Sequence, residues 1–335
     1  MNKTDYRGKM AALLSNTATY EKLQTDPTTT YKTQLSEVLH PLQSYVPTSL
    51  YRRLLPTTTN PPLLFGQPKV HKDNLPMRPI VSGRDSICYE TSKEVARILQ
   101  PVVGNTPHHI KDSVDLVAKL KDKVIPPGFS IVSFDVKDMY TTTPQEAALA
   151  LAEEKLRADS QLSRRTPIRG EHIMAMLTCD LNLAYFRWDG EFYAQRRGLG
   201  MGKSTSSPLS DIFMEDFEGN ALTQYQTGDP SITPHDVILF WFRKADDTVT
   251  AIRNDHIDPF FTFLNSLHPS IQWTMEREKD GRLPMLDVLI EKKEDGSLEF
   301  DVYRKPTHTN QYIDFASHQP LSHKLSTIHS LVVQH

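Results

Sequence analysis

Cysteine is scarce in this chain of 335 residues, and long apolar runs are absent. The two cysteines, Cys88 and Cys179, have neither metal-ligand spacing nor a pattern that demands a disulfide, so we expect ordinary intracellular thiols. No run of about 18 apolar residues occurs, so we expect no transmembrane helix and no membrane partner. The first residues, MNKTDYRGKM, lack the apolar segment of a secretory signal. These absences argue against a disulfide-stapled secreted domain, a cysteine–zinc module and a membrane protein.

The overall charge is small, but its distribution along the chain is uneven. The net charge of −3 argues at first against a nucleic-acid partner. Residues 51–100, however, carry 8 Lys and Arg against 4 Asp and Glu, whereas residues 201–300 carry 9 against 18. A basic segment followed by an acidic one suits a protein that holds phosphates with one part and cations with another. Solvated surface charge would give the same asymmetry, so motifs have to decide between them.

The hydrophobic periodicity predicts an α+β domain whose antiparallel sheet carries helices on one face. Residues 46–62 are rich in Pro and Thr and predict an extended linker. The segments with helical periodicity lie within residues 1–43, 88–120, 145–157 and 170–186. The predicted β structure consists of a basic hairpin around Asp73 and Asn74, the buried strand FSIVSFDV, a hairpin that turns at ADD, the strand IQWTMERE and a hairpin that turns at Asp295 and Gly296.

Two acidic features stand in otherwise apolar strand contexts, Asp135 in IVSFDVKDMY and the pair Asp246 and Asp247 in LFWFRKADDTVTA. A carboxylate at the end of a buried strand is costly unless it is neutralised. Hard oxygen ligands without His or Cys nearby favour Mg²⁺ over zinc. Two such ions about 3.5–4 Å apart can activate a 3′-hydroxyl and stabilise a leaving pyrophosphate. An isolated Asp–Asp pair is more often a plain hairpin turn, so the interpretation depends on the neighbouring motifs.

Six segments in order resemble the reverse transcriptase family, and most closely the Penelope-like retroelement enzymes. The resemblance covers nearly the whole chain. YRRLLPTTTNPPLLFGQPKVHKDNLPMRPIVS is similar to the fingers motif, SFDVKDMYTTTP to motif A, GLGMGKSTSSPLSDIFMEDFE to motif B and RKADDT to motif C. LPMLDVLI and VYRKPTHTNQYIDFASHQP resemble the segments that lead into the primer grip and thumb. Each segment is a weak signal alone, and the shared order makes the resemblance specific.

The resemblance implies catalytic roles for the acidic residues. Asp135 and Asp246 would be the main ligands of two Mg²⁺ or Mn²⁺ ions, with Asp247 beside them as a less direct acidic partner. The backbone carbonyl of Val136 would complete one coordination sphere. Tyr140 stands where the family places a bulky ring under the incoming sugar, so it would select deoxynucleotides.

The resemblance also implies contacts to nucleotide and nucleic acid. Lys69 and Arg78 are the candidates for the triphosphate clamp, since Arg offers a planar fork and Lys a compact point charge. Gly200 and Gly202 would let the backbone approach the nucleotide and the template base. The implied contacts to template or primer come from three further cations: Lys72, Arg304 and Lys305.

The implied architecture is that of a right-hand polymerase. Residues 1–45 would be the N-terminal helical part of the fingers, residues 46–292 the fingers and palm, and residues 293–335 the primer grip and a truncated thumb. The implied activity is RNA-directed DNA synthesis on an RNA or DNA template with primer, from deoxynucleoside triphosphates. No obligate protein partner is evident, and a nuclear location would follow only for a functional retroelement enzyme.

Two other interpretations remain open from the sequence. GLGMGKST invites a P-loop assignment, but the glycine that this pattern requires falls on Arg197. The second alternative is a catalytically inactive fragment or a domesticated nucleic-acid-binding remnant. Lys244 favours it, because the family usually has an aromatic residue two places before the Asp–Asp pair. Lys203 and Ser204 favour it too, since they stand where the family has Ser-Pro.

Overall fold

The computed structural model describes residues 1–70, 74–306, 309 and 312–333, and these divide into two units, residues 1–302 and 303–335. The first unit holds twelve α-helices and twelve strands among its described residues, and the second holds one helix. The helices are α1 (Lys3–Leu14), α2 (Thr28–Leu39), α3 (Thr48–Leu54), α4 (Tyr89–Leu99), α5 (Ser113–Leu120), α6 (Met139–Thr142), α7 (Gln145–Ala158), α8 (Leu162–Arg165), α9 (Gly170–Asn182), α10 (Ser206–Gln224), α11 (Pro234–Val237), α12 (Ile257–Ser266) and α13 (Leu321–Val333).

The strands form three sheets, with the orders β1-β6-β5-β2-β3, β7-β8-β4-β9 and β10-β11-β12. All pairings are antiparallel except the one between β2 and β5. The strands are β1 (Tyr20–Leu23), β2 (Leu63–Pro68), β3 (Met77–Ser82), β4 (Phe129–Val136), β5 (Tyr185–Trp188), β6 (Glu191–Gln195), β7 (Ile238–Lys244), β8 (Asp247–Arg253), β9 (Trp273–Arg277), β10 (Arg282–Met285), β11 (Val288–Lys292) and β12 (Leu298–Val302).

The sheet β7-β8-β4-β9 is the centre of the first unit, and it is buried on both faces. Alternate residues of β4 point to opposite faces of the sheet. Val132 and Phe134 therefore join the core under helices α7, α9, α10 and α12. Ile131 joins a second core with Leu116 of α5 and Leu283 of β10. Helices thus cover one face, as the sequence predicts, and the other face is closed by the small sheet β10-β11-β12 and α5.

Aromatic packing fixes the helical face of this sheet. The ring of Phe134 lies 5.7 Å from the ring of Trp241, 6.2 Å from that of Phe260 and 6.4 Å from that of Trp273, measured between ring centroids. These separations fall in the range of stacked and edge-to-face pairs, each worth about 0.5–1.5 kcal/mol beyond the burial of area. The cluster therefore joins β4, β7, β9 and α12 directly behind the strand end that carries Asp135.

The five-stranded sheet packs against α1 through a separate core. Met10 of α1 contacts Met77 and Phe186 of the sheet side, all buried. Gly66 of β2 faces this helix, and a Cβ there would lie less than 3.0 Å from the Met10 sulfur. The hairpin of β2 and β3 is paired from Leu63 opposite Ser82 to Pro68 opposite Met77, which confirms the predicted basic hairpin. Its tip, residues 71–73, lies outside the described residues.

Several sequence predictions are confirmed and others are wrong. Strand β4, strand β9 and the hairpin of β7 and β8 form where they are predicted, and α7 ends one residue later than predicted. Tyr20–Leu23 forms strand β1 instead of a helical turn, because it pairs with β6. Thr48–Leu54 is a helix within the predicted linker, and Tyr185–Trp188 is a strand that begins before the predicted helix ends. The C-terminal segment has three strands instead of two.

The second unit is described in part. It contains α13, and its preceding segment holds the exposed side chains of Tyr312 and Phe315. Within the described ranges, no helix has the length and apolar content needed to cross a membrane. The domain boundaries predicted after residues 45 and 292 stay predictions.

We expect Phe260→Ala to lower the free energy of unfolding by about 3–5 kcal/mol, because it empties a fully buried site in the aromatic cluster. Urea denaturation followed by tryptophan fluorescence measures this. Val114→Ala is the control, since Val114 is 75% exposed and surface truncations usually stay within about 0.5 kcal/mol. Equal effects of the two substitutions would contradict the packing described here.

Candidate active site

The three predicted acidic residues lie at the same end of the central sheet. Asp135 is the residue registered with Asp247 across the antiparallel pair β4 and β8. The backbone amide of Val136 donates to the carbonyl of Asp246 at 3.2 Å. Directly opposed residues in such a pair have Cβ atoms about 4.5–5.5 Å apart. The structure therefore brings Asp135, Asp246 and Asp247 together although about 110 residues separate the first from the other two.

The turn between β7 and β8 decides how the acidic pair is presented. Ala245 adopts a left-handed conformation with φ 52°, which an L-residue with a side chain rarely does. Asp246 is exposed at this turn, while Asp247 and Asp135 are partly buried. Asp246 and Asp247 are thus both a hairpin turn and part of an acidic site, so the two interpretations of the pair are compatible.

The donor set suits a magnesium ion that keeps other ligands. In the part of the chain that the structure describes, no three His, Cys, Asp or Glu side chains form a cluster ready to hold a metal ion. A closed protein cage is therefore absent from the described residues. Mg²⁺ is usually bound through one or two carboxylates, with waters and substrate phosphates supplying the rest of its octahedron. Two neighbouring carboxylates and an exposed third at a turn fit this kind of site.

Tyr140 lies between the acidic end of β4 and helix α10. It belongs to the short helix α6, and its ring is partly buried. Burial raises the pKa of the Tyr140 hydroxyl, a hydrogen bond with Ser207 lowers it, and the negative charges of Asp211 and Asp246 raise it again. The helix that carries Tyr140, α6, packs against α10. Tyr140 therefore lies in the segment that joins the acidic end of β4 to α7, five residues after Asp135.

The glycine-rich loop before α10 is fitted against two neighbouring segments. Gly202 has φ 104°, and a Cβ there would come within 3.0 Å of the Val81 carbonyl of β3. Gly198 has φ 68°, and a Cβ there would collide with the backbone of Thr141. Gly198 is not among the site residues predicted from the sequence, although its neighbour Leu199 donates its amide to the Tyr140 carbonyl at 2.5 Å. At Gly200 a Cβ would make only ordinary contacts.

These contacts explain why glycine occupies positions 198 and 202. Two of them allow the loop to pass between the segment after β4 and strand β3, where side chains would not fit. The predicted approach of Gly200 and Gly202 to a nucleotide or template base stays a prediction. Gly198 could have been found from the first glycine of GLGMG.

Lys203 is held inside the protein rather than presented to a phosphate. Its ammonium lies 3.1 Å from Oδ1 of Asp180 and also donates to the Asp180 carbonyl. Asp180 is fully buried and accepts further hydrogen bonds from Ser92 and Thr205. A P-loop needs this lysine free to reach the β- and γ-phosphates. The structure therefore argues against the P-loop alternative.

One basic side chain of the fingers hairpin reaches the acidic end of the sheet. Lys69, at 19% side-chain exposure, lies with its Nζ 3.3 Å from Oδ1 of Asp138, so the hairpin reaches the segment after β4. Asp138 itself is an exposed residue with φ 50°. Arg78 is exposed on β3. Lys72 lies outside the described residues.

The two predicted primer contacts belong to the second unit. Arg304 and Lys305 are both exposed there. Their proposed contact with a primer backbone stays a prediction.

The solved structures with a similar fold include telomerases and a viral RNA-dependent RNA polymerase. Telomerase from Candida tropicalis truncated from its C-terminal domain aligns with a TM-score of 0.55 at 13% identity, over 82% of this chain and 60% of that one. Telomerase from the same organism in complex with a TWJ fragment of telomeric RNA aligns with a TM-score of 0.53 at 9% identity, over 92% of this chain and 50% of that one. The BmCPV RNA-dependent RNA polymerase at elongation state aligns with a TM-score of 0.50 at 11% identity, over 85% of this chain and 26% of that one.

The chain has a right-hand polymerase fold. The chain spans between about a quarter and three fifths of the length of these neighbours. No family model and no curated protein matches the chain.

We expect Gly202→Ala to lower the free energy of unfolding by at least about 2 kcal/mol, because it combines a disfavoured φ with a backbone clash. Gly190→Ala is the matched control, since Gly190 also has a positive φ, 90°, but a Cβ at this position would have nothing within 4 Å. We expect the control substitution to lower the free energy of unfolding by about 1–2 kcal/mol, from backbone strain alone. Thermal unfolding of both variants measures the difference, and a Gly202 variant no weaker than the control would contradict the close fit to β3.

Proposed function

We propose that this protein is a template-directed nucleic-acid polymerase, and specifically an RNA-directed DNA polymerase of the Penelope-like retroelement kind. The observation that carries the proposal is the pairing of Asp135 with Asp247 beside the exposed Asp246, at one end of the central sheet of a right-hand polymerase fold. The finer assignment to RNA-directed DNA synthesis rests on the order of motifs in the sequence. Telomerase, a neighbour in fold, is named in its structure as bound to a fragment of telomeric RNA, which supports RNA as a partner here.

The residues of this chain have separate tasks in the proposed reaction. Asp135 and Asp246 would hold two Mg²⁺ or Mn²⁺ ions, with Asp247 as an additional acid and the Val136 carbonyl as a backbone ligand. When bound, two divalent ions would lower the charge repulsion between a 3′-hydroxyl and the triphosphate. The protein itself supplies positioning, which is its main contribution to phosphoryl transfer.

Basic side chains of the fingers would place the triphosphate. Lys69 extends toward the segment that follows Asp135, since it pairs with Asp138 there. An incoming triphosphate would offer Lys69 a stronger anionic partner than the exposed Asp138 carboxylate. Arg78 lies one strand away, exposed on β3, and its guanidinium has the geometry to bind two phosphate oxygens at once. The triphosphate would thus lie between the fingers hairpin and the carboxylates.

Tyr140 is proposed to select the sugar. Its backbone is fixed by the hydrogen bond between its carbonyl and the Leu199 amide, and its ring is partly buried against the main core. A rigid ring rejects a 2′-hydroxyl sterically, because it has little freedom to move aside. The fixed ring supports a preference for deoxynucleotides.

An inactive, nucleic-acid-binding remnant is the second candidate function. The observation that favours it is Lys244, which is registered opposite Asp247 across β7 and β8. A cation at this place competes with a divalent ion for the same carboxylate. This candidate predicts binding of primer–template without extension.

We expect Asp246→Asn to abolish primer extension with Mg²⁺ or Mn²⁺, because it removes a charged ligand while keeping the side-chain shape. Gel-based extension of a labelled primer on RNA and DNA templates measures it, with EDTA expected to stop the wild-type reaction. Asp216→Asn is the control, since Asp216 is exposed on α10. A wild type that binds primer–template and extends no primer under either metal would select the remnant instead.

We expect Tyr140→Ala to raise the ratio of ribonucleotide to deoxyribonucleotide kcat/KM by about tenfold or more, equivalent to about 1.4 kcal/mol. Steady-state single-nucleotide incorporation with each sugar measures the ratio. Tyr140→Phe is the matched variant, because it loses the hydroxyl but keeps the ring. We expect it to keep the wild-type discrimination, and relaxed discrimination in both variants would show that the ring is not the gate.

A further inference from the structure

A buried arginine, Arg243, ties the acidic hairpin to helix α10. Its side chain is 1% exposed. Its Nη1 donates to the Ala245 carbonyl at 2.9 Å and to Oδ1 of Asp211 at 3.0 Å, and its Nε donates to Oε1 of Glu218 at 2.5 Å. One guanidinium therefore contacts the turn of its own hairpin and two acids on the facing helix.

The contact to Ala245 falls on the residue that determines the shape of the turn. Ala245 has φ 52°, and a non-glycine residue keeps such a conformation only where its surroundings hold it. Asp246 follows directly, and its carbonyl accepts the amide of Val136 at 3.2 Å. The course of the backbone through Ala245 therefore fixes where Asp246 stands relative to β4 and Asp135.

Glu218 accepts hydrogen bonds from two side chains of β7, Arg243 and Trp241. Its side chain is 1% exposed, and its Oε1 also accepts a hydrogen bond from Trp241 Nε1 at 3.0 Å. Trp241 and Arg243 are alternate residues of β7, so one carboxylate binds two side chains on one face of the strand. Burial of an ion pair contributes little to stability compared with apolar residues of the same volume. Stability alone is therefore a weak reason for a cation at position 243.

We propose that Arg243 is a positioning residue that holds Ala245 in its left-handed conformation and thereby places Asp246 beside Asp135. This proposal rests on the polymerase function proposed above. Arg243 contacts the carbonyl of the turn and the acids of α10, and it acts on the reaction only through Asp246. Because α10 also packs against α6, the short helix that carries Tyr140, one helix contacts both the acidic hairpin and the segment of Tyr140.

Arg243→Lys tests the proposal while keeping the positive charge for Glu218. A lysine has one compact ammonium on a flexible stem and cannot hold the carbonyl and both acids in a fixed geometry. We expect kcat for single-nucleotide incorporation to fall about tenfold or more, with KM for the nucleotide and Kd for primer–template within about twofold of wild type. Wild-type kcat in folded Arg243→Lys would overturn the proposal.

The matched control is Arg253→Lys. Arg253 is in β8, registered with Phe129 at the opposite end of the sheet from Asp135, and it pairs with Asp255 there. We expect its kcat to equal that of wild type. A loss in Arg253→Lys as large as in Arg243→Lys would overturn the proposal, because the effect would then come from general damage to the sheet.

A second variant covers the case in which Arg243→Lys does not fold. Arg243→Met combined with Glu218→Gln removes the buried ion pair and keeps an amide oxygen as the acceptor for Trp241 Nε1. The one charge that loses its partner, on Asp211, is 16% exposed and therefore partly hydrated, and proteins often tolerate the loss of a buried pair of this kind. We expect this variant to unfold at a temperature close to that of wild type and yet lose kcat as Arg243→Lys does. Retention of wild-type kcat would overturn the proposal.

Hydrogen exchange separates this proposal from the function on which it rests. We expect amides of residues 243–247 to exchange faster in Arg243→Lys, or in the double variant, than in wild type and in Arg253→Lys. Unchanged exchange there would overturn the positioning role. If the wild type extends no primer, the proposed function fails, while faster exchange confined to residues 243–247 still supports the anchoring of the turn.

Discussion

The pairing of β4 with β8 is the constraint on which the rest of the site depends. It sets Asp135 opposite Asp247, although like charges directly opposed in a sheet destabilise it by about 0.2–1 kcal/mol. Burial outweighs this term, since Val249 and Ile252 of β8 are fully buried and each large apolar side chain contributes about 1.5–3 kcal/mol. A shift of one residue would reverse the faces of the strand. The register is therefore fixed by the two cores, and the acids occupy the end that those cores leave open.

Helix α10 connects the segments that surround the end of the sheet where Asp135, Asp246 and Asp247 lie. Before it, the glycine-rich loop fits against the segment after β4 and against β3, and Lys203 fixes its far side through the buried Asp180. Along it, Glu218 binds the strand that leads into the acidic turn. Polar groups buried in a low-dielectric interior are costly unless all are satisfied. Because these side chains do satisfy one another, the loop, the turn and the helix have few alternative arrangements.

The sequence predicts local patterns well and long-range pairing poorly. FSIVSFDV and ILFWFRK are identified as strands because apolar β-branched and aromatic residues leave little else to form. Tyr20 and Leu23 are three residues apart, which matches a helical face equally well, and only pairing with β6 about 170 residues later makes the segment a strand. The helix Thr48–Leu54 is not predicted, because Pro and Thr dominate the composition around it. Its stabilising contact is Leu54, which is buried in the core only once the chain is folded.

The same limit applies to the site. Asp135 and the Asp246 pair stand out because carboxylates are unusual in apolar strands, and the motif order supplies Tyr140 and the basic hairpin. Arg243 does not stand out, because Arg-Lys before a turn has the composition of ordinary solvated charge. Its acidic partner Glu218 is 25 residues away on a helix, so only the folded chain reveals the pair.

The buried polar contacts bear on whether the site is active. Lys244 stands opposite Asp247, which is the less direct of the proposed ligands, and strand β8 lies between Lys244 and the strand that carries Asp135. Apolar residues would stabilise the interior behind the turn at least as well as the pair Arg243 and Glu218 does. A fixed position for the acidic turn matters to a catalyst, because misplacement by about 1 Å costs about a hundredfold in rate. The hydrogen bond from Arg243 to the Ala245 carbonyl therefore favours the proposed polymerase more strongly than Lys244 favours the proposed remnant.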